Sequence, residues 1–212
     1  MEKALFEDNF ADVNGGGIYS AATTDVENST FSGNEVPPVS GGNLTPRGGA
    51  IYFEESAVSS LLHVTVVDNA AEEGAGIYSD NSPDIRLRSS YLNNPESAGD
   101  IEVDDSAISS EVPVVSNGYN YISEVSDEAF EESTEDITNE DSDFESLEEN
   151  GGFTKTHAIT GGQLGYRDID ESDCDDFSGN PVDNDQRGED RPFEGQCTRG
   201  AWEEDDATAT VN

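Results

Sequence analysis

Any chemistry in this chain has to come from a small set of residues. The stretch DNDQRGEDRPFEGQCTRGAWE, residues 183–203, gathers Arg187, Arg191 and Arg199 within thirteen residues, beside a cysteine, in a chain otherwise poor in basic groups. Such a cluster reads as a catalytic site, an anion-binding patch or a structural clasp. A guanidinium is a planar fork of five donors that grips carboxylates and carbonyls bidentately. Cys174 and Cys197 enclose 22 residues that contain Arg187 and Arg191. An even cysteine count outside the cytosol reads as a disulfide, with two free buried thiols as the alternative. No CxxC is present, and no second thiol pair completes a zinc site.

The other candidates are weaker. Asp183, Asp185, Gly188 and Glu194 fall at positions 1, 3, 6 and 12 of an EF-hand-like loop, but Arg187 stands where an oxygen ligand is needed. Coincidence is the better reading there. Calcium on the acidic surface stays open without an assigned position, and no other cofactor is expected. His63, in LLHVTVV, and His157, in KTHAI, would need activating partners for catalysis. Both are expected to be structural histidines with their hydrogen bonds satisfied. No G-x-S-x-G elbow occurs.

The chain that must position these residues has 212 residues, 33% of them hydrophobic, and a net charge of −39. Self-repulsion on that scale opposes compaction while favouring solubility. At molar salt the screening length falls to roughly 3 Å, which removes most of that repulsion. Only Lys3 and Lys155 are lysines. The balance fits a surface hydrated at high salt; an ordinary acidic secreted protein is the alternative. Nucleic acids and anionic membranes are excluded as partners, because phosphates demand clustered lysine and arginine. No run of about 18 apolar residues spans a bilayer. The opening MEKALFEDNFADVN lacks an apolar signal core. The chain is therefore expected to be cytoplasmic or the C-terminal piece of a longer exported protein, and the repeats favour the second, with the signal peptide upstream.

A glycine-plus-Ile-Tyr block recurs as GGIY at 16–19, GAIY at 49–52 and AGIY at 75–78, with GDIE at 99–102 a degraded copy. Between these blocks run FEDN, FSGN, VVDN and YLNN, which end at Asn9, Asn34, Asn69 and Asn94. The asparagines are 25, 35 and 25 residues apart, and the long interval locates an insertion in EVPPVSGGNLTPR, read as a protruding loop. A period near 25 with short alternating apolar runs predicts β-strands. Gly17, Gly49 and Gly76 are expected at corners that need φ > 0 or close backbone approach. The asparagines are expected to stack as an amide ladder. Together these features predict an all-β, parallel β-solenoid, in which each coil buries its apolar face only against its neighbours.

The paired GG-IY and FxxN signals resemble the repeats of right-handed β-helix surface proteins, including polymorphic outer-membrane proteins, and the resemblance implies a right-handed parallel β-helix of about four coils over residues 4–123. Residues 124–150 hold 13 acidic residues and no basic one, which on composition alone reads as an acidic connecting segment. Yet SNGYNYIS (116–123), DITNEDSDFESLEENGG (136–152), FTKTHAI (153–159) and DQRGEDRPFEGQCTRGAWE (185–203) follow in order. This set resembles the choice-of-anchor Q domain that ends many β-helix surface proteins. Thr198–Arg199 replaces the usual acidic-plus-apolar pair, and Trp202 replaces Phe or Tyr. In that module Arg187 and Arg191 are expected to staple loop to β-helix through carboxylates such as Asp168, Asp170 or Asp185. The C-terminal module is then 151–203, with a Cys174–Cys197 clasp, and 204–212 an acidic tail.

Because β-helices also host polysaccharide lyases and hydrolases, an enzyme has to be weighed, although fold does not grant function. NTD, GHG and RIK blocks are absent. A lyase-like site could draw only on Arg86 and Arg88 in IRLR with Asp104 and Asp105 one coil later. These arginines are expected to be solvent-facing charges, and no catalytic residue is assigned. The reading is a non-enzymatic extracellular or cell-surface protein for adhesion or envelope structure, with a glycan or envelope component as partner and no membrane insertion. A polysaccharide-active enzyme and a display stalk for an upstream domain are the alternatives.

Overall fold

The computed structural model describes residues 1–38, 44–54, 58–80, 84–94, 98–104, 114–125 and 129–205. Strand β1 (Leu5–Glu7) precedes four three-strand coils. The first holds β2 (Ile18–Ser20), β3 (Asp25–Glu27) and β4 (Thr30–Ser32). The second holds β5 (Ile51–Phe53), β6 (Val58–Leu62) and β7 (Thr65–Val67). The third holds β8 (Ile77–Ser79), β9 (Asp84–Arg88) and β10 (Tyr91–Asn93), and the fourth β11 (Ile101–Val103), β12 (Val114–Ser116) and β13 (Tyr121–Ile122). A shorter fifth coil adds β14 (Phe130–Glu131) and β15 (Ile137–Thr138). Strands stack coil on coil into three parallel sheets: β1-β4-β7-β10-β13-β15, β14-β12-β9-β6-β3 and β11-β8-β5-β2. This is the right-handed parallel β-helix that the repeats predict.

The pairing register shows why. Ile18 pairs with Ile51 and Ile51 with Ile77, so each GG-IY block places an isoleucine inward and a tyrosine outward at the same height of its coil. Inside, Phe6 stacks on Phe31 with ring centroids 4.6 Å apart, and Phe31, Val66 and Leu92 continue that column through the core. Outside, Tyr19, Tyr52 and Tyr78 form a second stack with centroid spacings of 5.2 and 5.6 Å.

Asn9, Asn34, Asn69 and Asn94 form a continuous ladder. The Nδ2 of Asn9 donates to Oδ1 of Asn34 at 2.8 Å, Asn34 to Asn69 at 2.8 Å and Asn69 to Asn94 at 3.0 Å. Each Oδ1 also accepts the backbone N–H of the same donor residue. The ladder ends on Asp100, which accepts Asn94 Nδ2 at 2.7 Å and its N–H at 2.8 Å. Burial pushes the Asp100 carboxyl up, against the hydrogen bonds from Asn94, Ser123 and Glu124 that favour its ionised form. A second line of acceptors runs at the other end of the same sheet. Ser29 accepts from Ala4 N–H, Ser90 from Val64, Asn120 from Ser90, and Asp136 from Asn120. Its residue types vary from coil to coil, so no repeat in the sequence announces it.

One expectation is refined and one corrected. Of the two roles expected for Gly17, Gly49 and Gly76, close backbone approach is the one the structure shows, while the left-handed turn at each corner falls on Gly15, Gly48 and Gly74. A Cβ at Gly49 would lie 2.3 Å from the Ala75 carbonyl oxygen, and at Gly17 and Gly76 the distances to the next coil's carbonyl are 2.8 and 2.6 Å. Gly49 also aligns with Gly16 rather than Gly17, one position earlier in the register. The acidic segment 124–150 is not a connector: it supplies β14 and β15, buries Phe130 in the core and provides Asp136. Composition misleads there because a few well-spaced apolar side chains suffice when each coil needs to cover only its neighbour. The insertion after Asn34 begins inside the stack, with Val36 buried and its N–H on the Ala70 carbonyl, while Leu44 is exposed. Residues 39–43 lie outside the described residues.

The ladder makes a graded prediction. Asn69→Leu removes the acceptor of two buried donors and should cost about 2–6 kcal/mol, at 1–3 kcal/mol for each buried group left unsatisfied. Asn9→Leu, at the partly exposed end, should cost less than half of that. Denaturant unfolding of the two variants measures both, and equal losses would remove the ladder as the cause.

Candidate functional site

The C-terminal module does not extend the solenoid. It folds back along the outer face of the six-stranded sheet, where Thr30, Thr65, Tyr91 and Tyr121 form one outward column and are all buried. Gly200 lies flat on this column: its N–H donates to the Ser89 carbonyl at 2.8 Å, and a Cβ there would lie 2.5 Å from Thr65 Oγ1. Ala201 N–H donates to Thr65 Oγ1 at 2.9 Å, and Thr30 Oγ1 donates to Gln186 Oε1 at 2.7 Å. Ile159 packs with Val67, Tyr91 and Tyr121, with Leu164 and Tyr166 at the margin of that cluster.

Within the module, Asp185 is the hub of the arginine-rich stretch. Its Oδ1 accepts the N–H groups of Arg187, Gly188 and Glu189 at 2.8, 3.0 and 3.1 Å, forming a tight local turn. Its Oδ2 accepts Arg187 Nε at 2.8 Å and Glu203 N–H at 3.0 Å. Arg187 also donates to the Asn150 and Glu203 carbonyls and to Asp205 Oδ2, and lies over the Trp202 ring, 5.3 Å from its centroid. Arg191 donates to the Gly200 carbonyl at 3.1 Å and to Asn28 Oδ1 at 3.4 Å, with Nε 3.4 Å from Glu203 Oε2. Burial raises the Glu203 carboxyl, and the nearby Arg191 charge opposes that rise.

Two further arginines cross the seam. Arg199 grips Asp168 through Nε at 3.0 and 2.9 Å and through Nη2 at 2.8 Å, then donates to the Asn120 and Glu135 carbonyls on the last coils. Arg88 reaches outward from β9 to the Asp173 and Asp175 carbonyls and the Asp175 carboxylate. Those groups flank Cys174, which is bonded to Cys197 with Cα atoms 6.2 Å apart; β16 (Ile169–Asp170) and β17 (Gln196–Cys197) pair antiparallel beside it. The Cys174–Cys197 disulfide is thus present, and Arg187 and Arg191 both lie in the seam. Of the three carboxylates expected as partners, Asp185 meets Arg187 and Asp168 meets Arg199; among the described residues no arginine pair with Asp170 occurs. At the far end, Lys155 Nζ donates to Glu7 Oε1 at 2.6 Å, so the module reaches from β1 to the fifth coil. The tail expected at 204–212 begins inside this seam: Glu204 is buried and receives the Tyr166 hydroxyl and Arg167. Residues 206–212 lie outside the described residues.

His157 Nε2 is 2.9 Å from Ser32 Oγ, the reach of a base to a nucleophile. Both residues are buried, however, and Nδ1 faces the Glu145 carbonyl at 2.7 Å instead of an orienting carboxylate. Burial lowers the His157 pKa. His63 is buried too, but neither ring nitrogen has a hydrogen-bond partner among the described residues, contrary to the satisfied histidine expected. Arg86 pairs with Asp84 on its own strand at 3.0 Å and is half exposed, as expected; Arg88 is not solvent-facing. Asp104 stands at the end of β11 on a different sheet, 4.0 Å from Arg47, so geometry separates it from Arg86; Asp105 lies outside the described residues. Asp185 of the EF-hand-like loop is fully occupied by Arg187 and by backbone N–H groups. Among the described residues no three carboxylate, imidazole or thiol groups converge on a point. One hollow, about 730 Å³, is polar and lined by Asn93, Asn94, Ser123, Glu124, Asn139 and Asp141.

The Chlamydia polymorphic membrane protein (Chlamydia_PMP) repeat matches residues 3–21 and 28–54. Those segments carry FEDN with GGIY and FSGN with GAIY, two successive turns of the amide ladder and the tyrosine stack. No curated protein and no solved structure matches the chain. Over these two segments the chain is similar to polymorphic-membrane-protein repeats, and its stacked parallel sheets agree with a β-helix protein of that kind.

Arg199→Ala should be far costlier than truncation of the half-exposed Arg86. Removing a buried partner leaves Asp168 and two carbonyls unanswered, at roughly 3–5 kcal/mol, whereas Arg86→Ala should change stability by about 0.5 kcal/mol or less. Comparable denaturation midpoints for the two would deny the seam its role. Cys174→Ser with Cys197→Ser should cost about 3 kcal/mol for a loop of this size.

Proposed function

We propose that this chain is a non-enzymatic, secreted or cell-surface β-helix protein that serves adhesion or envelope structure and is adapted to high salt. One observation carries the reading. Four of the arginines, the buried histidines and the cysteines, the residues best suited to chemistry, are enclosed in the seam between module and solenoid. What faces solvent is rich in carboxylates, hydroxyls and amides, with Phe10, Tyr19 and Phe153 exposed among them. The similarity to a repeat of membrane proteins supports a surface location. The polar hollow beside Asn139 and Asp141 presents amide and carboxylate groups of the kind that hydrogen-bond sugar hydroxyls, and it is where a glycan partner would be sought.

The test uses the folded chain in about 2 M KCl, where charge repulsion is screened to a few ångströms. It is incubated with acidic and neutral glycans, with and without calcium, while reducing ends and absorbance of unsaturated products are followed, and pull-downs are run on the same glycans. Capture without product is the expected result. Turnover would overturn the proposal in favour of a polysaccharide-active enzyme, and folded protein that captures nothing would favour a display stalk. The salt adaptation has its own readout: the melting temperature should rise from about 0.1 to 2 M KCl as screening relieves the net charge. A flat or falling profile would reject that part.

A further inference from the structure

One corner of the solenoid is built from a column of left-handed residues: Asn28 (φ +46°), His63 (φ +48°) and Ser89 (φ +52°), one per coil. The column is in register, since Asn28 N–H donates to the Leu62 carbonyl and His63 N–H to the Arg88 carbonyl. Asparagine and histidine tolerate this conformation better than most side chains. The module grips the column on both sides of His63. On one side Asn28 donates to the Asn184 carbonyl and accepts from Arg191; on the other the Ser89 carbonyl accepts Gly200 N–H. His63 is left at the centre, fully buried, with neither ring nitrogen in a hydrogen bond of normal geometry and only the Gly200 backbone beside it; Ser89 Oγ also lacks a partner, and Arg191 Nε has only its 3.4 Å ion pair with Glu203.

We propose that His63 is an acid-sensitive latch, and that its protonation releases the 185–203 clasp from the outer face of the six-stranded sheet. The groups that face it decide the direction. Arg88 from β9 and Arg191 from the clasp both place positive charge toward the ring, and only the Gly200 backbone favours the imidazolium. A protonated ring would add a third cation to a buried seam. Around Arg191 stand Glu203, Asp185 and Glu27, and burial raises Glu203 and Glu27, so falling pH also weakens the counter-charge that holds Arg191. His157 is the poorer latch because both its nitrogens have partners, one a carbonyl able to accept from an imidazolium. Burial and the two arginines hold the His63 pKa well below the ordinary 6.5. The neutral ring is therefore the docked form. Docking is at full strength above pH 6.5 and is lost as pH falls from there toward the folded pKa.

Trp202, the chain's single tryptophan, is buried in the clasp and reports release directly. The full chain in molar KCl is titrated from pH 8 to pH 4 while Trp202 emission is followed. Wild type should shift to the red in one step, and His63→Asn, which keeps the backbone preference of the column and cannot become cationic, should hold the blue emission to about one pH unit lower. Coincident midpoints would overturn the proposal. Should His63→Asn fail to fold, imidazole NMR of the wild type decides instead. His63 must titrate with the midpoint of the Trp202 shift, and protonation with unchanged emission would overturn the latch equally.

Discussion

A chain this rich in carboxylates can close on itself only where positive charge answers them, and the arginines at the seam do so. Arg187, Arg191 and Arg199 from the module, with Arg88 from the solenoid, spend their forks on carbonyls as much as on carboxylates. That division matters. A guanidinium paired only with an acid would gain little at high salt, where exposed pairs are screened. Shared between a carboxylate and buried carbonyls, it also satisfies backbone acceptors that no strand or helix in the loop-rich module would meet.

The solenoid follows another economy. With little apolar material per coil, it closes each corner with repeated polar contacts: one line of asparagine amides that ends on Asp100, and a mixed line of serine, asparagine and aspartate that ends on Asp136. Both lines stop at a carboxylate, which has no donor to hand on when ionised. The acid of segment 124–150 that composition would assign to a solvated linker is thus the end-stop of a buried line.

Repetition explains what was legible in the sequence. Asn34, Asn69 and Asn94 recur in phase with the isoleucines because each performs the same task one coil later, so the ladder, the strand order and the parallel stacking could all be read from spacing. The corner glycines were half legible: spacing located them, but whether φ or approach was decisive depended on the neighbouring coil's carbonyl. The mixed acceptor line was hidden because Ser29, Ser90, Asn120 and Asp136 share a function without sharing a type. Nor could spacing show that the module doubles back, since Thr30 meets Gln186 and Asn28 meets Asn184 across 156 residues. His63 looked like an ordinary strand residue until the seam closed over it.

The doubling back has one more consequence. Repeat proteins ordinarily lengthen or shorten by whole coils, because each repeat touches only its neighbours. Here the module is anchored at Glu7 on one side and at Asn120 and Glu135 on the other. One coil inserted between those anchors would separate them by about 4.8 Å, the spacing of adjacent strands. The module acts as a ruler laid along the solenoid, and the number of coils beneath it is fixed by the ruler's length, not by the repeats themselves.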